Sequence, residues 1–244
     1  MTFITVLAVL AFLYLFIKFP EYIGRREFQL SQSREVKVTI PEGFNVRQIG
    51  ETLERSGLGK KEQFVEAAKN QEGFLFPDTY RFYKDATPKD IIEKMRENFN
   101  KKIDDDILQE IVHEKYTLTN IVIMASLLEE EVKSTEDRKL VAGILWKRLS
   151  LNMGLNVDAA LTYVLGKTSH ELTQEDLKYD SPYNTYRYRG LPPGPISNSG
   201  LDAILAALRP TSSQYLYYLT DKDGSVHYAK NLEEHKINKF RYLK

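Results

Sequence analysis

The sequence contains no cysteine and a single tryptophan among its 244 residues. Disulfide staples, thiolate nucleophiles and Cys-ligated zinc are therefore excluded. That absence suits the cytosol and a bacterial exterior equally, so it assigns no compartment. Neither sign of charge is in excess, with 34 Lys plus Arg against 34 Asp plus Glu. A protein that grips nucleic acid through bulk charge would carry a basic surplus, so no nucleic-acid partner is expected. The four histidines, His113, His170, His227 and His235, form neither an i, i+4 pair nor an HExxH motif, and no metal or organic cofactor is expected. No GxSxG elbow is present to support serine hydrolysis. Gly166-Lys167-Thr168 ends like a phosphate-binding loop, but Leu161 stands where its first glycine is required.

What is present is enough for a core: 42% of residues are apolar, in a length that holds one large domain or two modest ones. Thr2 to Ile17 carries no charge, just short of the ~20 residues that span a bilayer. No basic stretch precedes it and no small-x-small site follows, which predicts an uncleaved membrane anchor over residues 1–23, with a polar linker over 24–34. Lys18, Arg25 and Arg26 follow the span. The positive-inside rule would thus keep the bulk of the protein cytoplasmic, with almost nothing upstream to compare.

Beyond the linker the patterning predicts an α+β protein. Val36 to Ile40 alternates as a strand, and Asn45 caps a helix over Val46 to Arg55. A second helix is expected over Lys60 to Asn70, a strand over Asp78 to Tyr83 and a helix over Pro88 to Phe99. A faint strand-turn-helix repeat aligns Ile49 with Ile91 and Glu51 with Glu93. Lys101 to Glu114 reads as a charged helical connector. Thr119 is expected to cap the next helix, and Ser134 the one after it, with Asp137 at N3. Leu155 to Leu165 reads as a further helix, Leu201 to Leu208 as a short apolar one, and Tyr215 to Thr220 with Val226 to Ala229 as a hairpin.

Chemistry concentrates in Asn120 to Val132, where an apolar run meets Glu129, Glu130 and Glu131. Wound as a helix, Val122, Ala125, Glu129 and Val132 share one stripe, so Glu129 is the acid expected against an apolar wall. Burial raises a carboxyl pKa and holds a proton donor ready near neutrality. Asp158 is the candidate second acid. Ser181 to Ile196 sets aromatic faces, amides and hydroxyls in a proline-stiffened frame, which reads either as a rigid structural loop with buried tyrosines or as a surface suited to sugar rings.

Several ordered motifs together resemble one family. They are Glu72-Gly-Phe-Leu-Phe-Pro-Asp-Thr-Tyr80, Ala125-Ser-Leu-Leu-Glu-Glu-Glu131, Val141 to Leu149, Met153-Gly-Leu-Asn-Val-Asp158, Tyr183-Asn-Thr-Tyr186 and Gly190-Leu-Pro-Pro-Gly-Pro-Ile196. Tyr215 to Tyr217, His227-Tyr228 and Glu234-His235 follow. The sequence resembles the YceG-like family of endolytic murein transglycosylases. The resemblance implies a single-pass membrane protein facing the periplasm or cell wall, which opposes the basic-flank reading. It implies a small LysM-like strand-helix-helix-strand module with connector over 35–115 and a larger α+β catalytic domain over 116–244.

The implied partners are peptidoglycan glycan strands and peptidoglycan synthases. The implied reaction cleaves between N-acetylmuramic acid and N-acetylglucosamine and leaves a 1,6-anhydro end. The family's catalytic acid, the first of the ASxxExE motif, matches Glu129. Glu131, Asp158, Tyr183, Asn184, Tyr186, Leu191, Pro192, Pro193 and Gly194 are then expected to contact substrate. Ser126, Asn156, Asp78, His227 and His235 fall in the supporting structure. The sequence departs from the family pattern at Asn156, Ala159, Lys147, Val132 and Ser199, where the family usually has Gln, Pro, Asn, Thr and Pro. Two other readings stay open: a lysozyme-like hydrolase pairing Glu129 with Asp158, and a non-catalytic wall-binding scaffold.

Overall fold

The computed structural model describes residues 34–243, so the expected anchor and nearly all of the linker lie outside the described residues. No helix among the described residues is long and apolar enough to cross a membrane. The chain is α+β, with two short two-stranded sheets among its helices.

The front part runs β1 (Glu35–Thr39), α1 (Val46–Arg55), α2 (Lys61–Ala67), β2 (Thr79–Tyr83). The strands pair antiparallel, Glu35 opposite Tyr83 and Thr39 opposite Thr79. Asn45 caps α1 reciprocally: its side chain accepts from the Gln48 N–H, and the Gln48 carboxamide accepts from the Asn45 N–H. Thr87 and Asp90 repeat the device at the start of α3 (Pro88–Lys102), where Pro88 takes the favoured first position. Ile49 and Ile91, matched in the sequence repeat, both sit in the front core with Val38, Leu53, Phe64 and Phe82. Phe99, two turns beyond Ile91, belongs instead to the main core. One helix thus serves two cores.

The main core is built on α5 (Leu118–Glu131), which follows α4 (Asp105–His113). Ile121 to Leu128 are all buried, as an all-round apolar helix must be. Each such large side chain contributes roughly 1.5–3 kcal/mol by leaving water. Around it pack α6 (Thr135–Ser150), α7 (Asp158–Leu165) and α8 (Leu201–Leu208), followed by the hairpin β3 (Tyr217–Thr220) with β4 (Val226–Ala229). The chain closes with α9 (Leu232–Tyr242).

Several boundaries differ from expectation. Thr117, not Thr119, caps α5, accepting from Asn120 N at 3.1 Å. The helix expected from Leu155 starts only at Asp158, because Asn156 adopts a left-handed φ of 52° that no helix carries. The second helix ends at Ala67 rather than Asn70. The sequence reading passed over α9, although Asn231 caps it by accepting from the Glu234 N–H.

Buried Asn198 joins the front part to the main part. Its Nδ2 donates to Phe44 O and to Glu72 Oε1, each at 2.9 Å, and its Oδ1 accepts from Leu75 N. Its backbone exchanges two further bonds with Gly43 and Phe44.

Candidate active site

The site forms where α5 runs out. Successive side chains on a helix diverge by about 100°, so three adjacent acids cannot share one environment. Glu129 turns toward the starts of α6 and α8. One of its oxygens meets the Arg138 guanidinium, and the other accepts from the Gly200 N–H at 2.9 Å. Arg138 is buried, and its other two nitrogens donate to Val132 O and to Asp202. Burial pushes the Glu129 carboxyl above its ordinary value, while Gly200 and Arg138 oppose the shift. A Cβ on Gly200 would fall 1.9 Å from the Glu42 carboxylate, so a larger residue there would have to displace the Glu42 side chain.

Glu130 points into a cleft of about 940 Å³ between the front part and α7, with Ser197 hydrogen-bonded to it. Arg47, Tyr163, Tyr183 and Ile196 also line this cleft, and Glu72 lies at its base. Glu72 accepts from Val46 N, from the Tyr163 hydroxyl at 3.2 Å and from Asn198. Burial outweighs those donors and pushes Glu72 up to about 7. Gly43, at φ 82°, lets the front part close on the acids, since a Cβ there would meet Glu130 Oε1 at 3.0 Å.

Glu131 has the third environment. It is half-buried, and no cation among the described residues is paired with it. The Tyr218 hydroxyl donates to Oε2 at 3.1 Å, and the Ala159 N–H, in the first turn of α7, donates to the carboxylate. Burial first, and then the negative charge of Asp158, push Glu131 up to about 7. Asp158 in turn accepts from the Tyr186 hydroxyl. Ala159, whose N–H bonds Glu131, also lines the cleft. Two carboxylates, two phenols and a helix N-terminus thus converge from α5, α7, β3 and the 180s loop. Such a group can give and retake a proton at neutral pH.

The YceG-like family model matches residues 25–241. The chain belongs to the YceG-like family. The Bacillus subtilis protein named "Endolytic murein transglycosylase" is 39% identical over 173 residues, 70% of this chain and 48% of that protein. The Streptococcus pneumoniae D39 protein of the same name is 32% identical over 240 residues, 82% of this chain and 43% of that protein. The chain therefore spans less than half the length of these curated relatives. The crystal structure of a YceG-like protein from Listeria monocytogenes superposes with a TM-score of 0.75 at 34% identity, covering 83% of this chain and 75% of that one.

In this YceG-like chain the expected contact residues separate into three groups. Tyr183 lines the cleft, and its hydroxyl lies 3.0 Å from where a Cβ on Gly194 would stand. Tyr186, Asp158 and Glu131 belong to the cluster described above, and Pro193 is exposed. Asn184, however, is wholly buried: its Nδ2 donates to Leu177 O and Tyr179 O, and its Oδ1 accepts from Tyr186 N. It shapes the loop and leaves no group for a ligand. Pro192 is buried, and Leu191 packs on the main core.

Among the supporting residues, Ser126 donates to Ile123 O and accepts from Ile196 N at 3.1 Å, tying the glycine-proline loop to α5. Asn156 N bonds Thr185 O, and Asp78 accepts from Thr79 N and Asn98. His227 bonds Asp221 at 2.7 Å and stacks on Tyr242, while His235 stacks on Tyr217. No cluster of three or more His, Cys, Asp or Glu among the described residues is placed to hold a metal.

Sequence reasoning missed Arg138, Tyr218, Glu72 and Asn198 as site residues. Glu72 carried a signal, since it opens one of the family-like motifs. Tyr218 showed only as one more aromatic in a strand.

Proposed function

We propose that this chain is a lytic transglycosylase acting on peptidoglycan glycan strands, with Glu131 as its single acid and base. The observation that carries the reading is the Glu131 carboxyl: it is held by two neutral donors beside Asp158, has no cationic partner among the described residues, and is pushed up to about 7. The names of the Bacillus and Streptococcus relatives support the substrate class.

Protonated Glu131 gives its proton to the glycosidic oxygen as positive charge develops at the anomeric carbon. Asp158 supplies negative charge nearby, which favours that oxocarbenium-like state. The carboxylate left on Glu131 is steadied by Tyr218 and by the N-terminus of α7. It then takes the proton from the C6 hydroxyl of the same muramic acid, whose oxygen closes on the anomeric carbon as a 1,6-anhydro ring. No protein nucleophile is needed. Glu129 suits this work less well, because its carboxylate is paired with the Arg138 cation and protonation would release that contact.

The strand-helix-helix-strand front is read as a LysM-like wall of the cleft that holds the glycan. Attachment through residues 1–23, with the site facing the wall and beside peptidoglycan synthases, completes the reading; the uncharged run of Thr2 to Ile17 supports the attachment. Mass analysis of digested glycan strands tests the reaction. The expected products end in anhydro sugars, one water lighter than hydrolysed ends. Exclusively hydrolysed ends would favour a lysozyme-like enzyme, and binding without cleavage a scaffold.

A further inference from the structure

Helix α6 carries two buried arginines with opposite fates. Each of the three guanidinium nitrogens of Arg138 has an acceptor, two of them carboxylates. Arg148, 6% exposed, makes no hydrogen bond and no ion pair among the described residues, and its Nε is buried without a partner. Its guanidinium lies 5.4 Å from the centroid of the Tyr217 ring. The phenols of Tyr218, Tyr217 and Tyr186 are its neighbours. Two of these are the phenols that hold Glu131 and Asp158. His235, stacked on the same Tyr217 ring at 5.2 Å, also has a buried Nδ1 without a partner and senses Arg148. Desolvating a guanidinium without an acceptor is costly, and native structures rarely leave such a group unmet. A forked, planar donor of this kind fits a carboxylate.

We infer that Arg148, backed by His235, seats a carboxylate of the glycan substrate beside Glu131. This rests on the proposed glycan-cleaving function. Such a strand offers two sources of a carboxylate: the lactyl side chain of muramic acid where no peptide is attached, and the stem peptide where one is. Seating the lactyl group would fix which muramic acid presents its anomeric carbon to Glu131.

Nuclear magnetic resonance of the His235 ring in the whole protein reads the seat directly. Added N-acetylmuramic acid is expected to shift the ring signals, and its methyl ester to leave them unmoved. An N-acetylmuramoyl dipeptide, whose lactyl carboxyl is an amide, distinguishes the sources: a shift there too means that a peptide carboxylate is accepted. Arg148→Gln is expected to abolish the shift, and Arg148→Lys, which keeps charge without the fork, to weaken it. In digestion, wild type is expected to cut peptide-free strands about tenfold faster than their methyl esters, while Arg148→Gln cuts both alike.

Equal response of wild type to acid and ester overturns the inference. A response to the acid in a protein that cuts no glycan keeps the seat and refutes the enzymatic reading instead. A merely structural Arg148 predicts a lower Tm in Arg148→Gln with discrimination intact, which also overturns it.

Discussion

Tyr218 donates its hydroxyl hydrogen to Glu131 Oε2 over 3.1 Å, across 87 residues of sequence. The bond leaves Glu131 held by neutral groups, whereas Glu129, two residues earlier on the same helix, is held by a cation. From that contrast follow separate expectations for the two acids.

Removing the charge of Glu129 strands Arg138 in a buried site with one acceptor fewer. Breaking a buried ion pair from one side costs about 3–5 kcal/mol. Glu129→Gln is therefore expected to unfold at markedly lower urea concentration than wild type. Glu131→Gln, which removes no ion pair, is expected to stay near the wild-type midpoint. Equal midpoints for both variants would contradict the Arg138 assignment.

The activity profile follows from Glu131 itself. The donor must start protonated, and burial together with Asp158 holds its pKa at about 7. The rate constant kcat/KM is expected to fall as pH rises through about 7. Moving the charge of Asp158 away should move the fall: Asp158→Asn removes a like charge, so the limb shifts to lower pH. An unshifted limb would separate Asp158 from Glu131.

Glu72 gives a linked effect on stability. Its folded-state pKa of about 7 lies above the ordinary 4.5, so between those values the folded chain holds a proton that the unfolded chain has lost. Stability therefore falls as pH rises from about 4.5 to 7, by at most about 1.4 kcal/mol per pH unit for this group. Glu131 adds a slope of the same sign. Urea unfolding of Glu72→Gln across that range is expected to show a shallower fall than wild type. An unchanged slope would mean that Glu72 titrates normally.

The local parts of this fold were legible because local chemistry decides them. Ser134 caps α6 through the Asp137 N–H, as its spacing announces. Leu201–Leu208 and Val226–Ala229 fall within the bounds that their patterning sets. The left-handed turn at Asn156 was not legible, since Asn tolerates that region without requiring it. The stripe argument placed Glu129 against apolar residues and had no means of seeing Arg138, which arrives from the next helix. Glu131 was expected to contact substrate and not to carry the proton, because the groups that enclose it come from Ala159 and Tyr218, 28 and 87 residues later. Asn184 looked like a sugar-binding amide from its neighbours, yet its amide is consumed by the loop it organises. The acids were visible in sequence, but their roles depend on partners that only the fold supplies.

The most direct measurement is digestion of uncrosslinked glycan strands by wild type, Glu131→Gln and Glu129→Gln, compared at a temperature where all three are folded. The account predicts anhydro products from wild type, residual cleavage from Glu129→Gln and none detectable from Glu131→Gln. Cleavage retained by Glu131→Gln and lost in folded Glu129→Gln would contradict it.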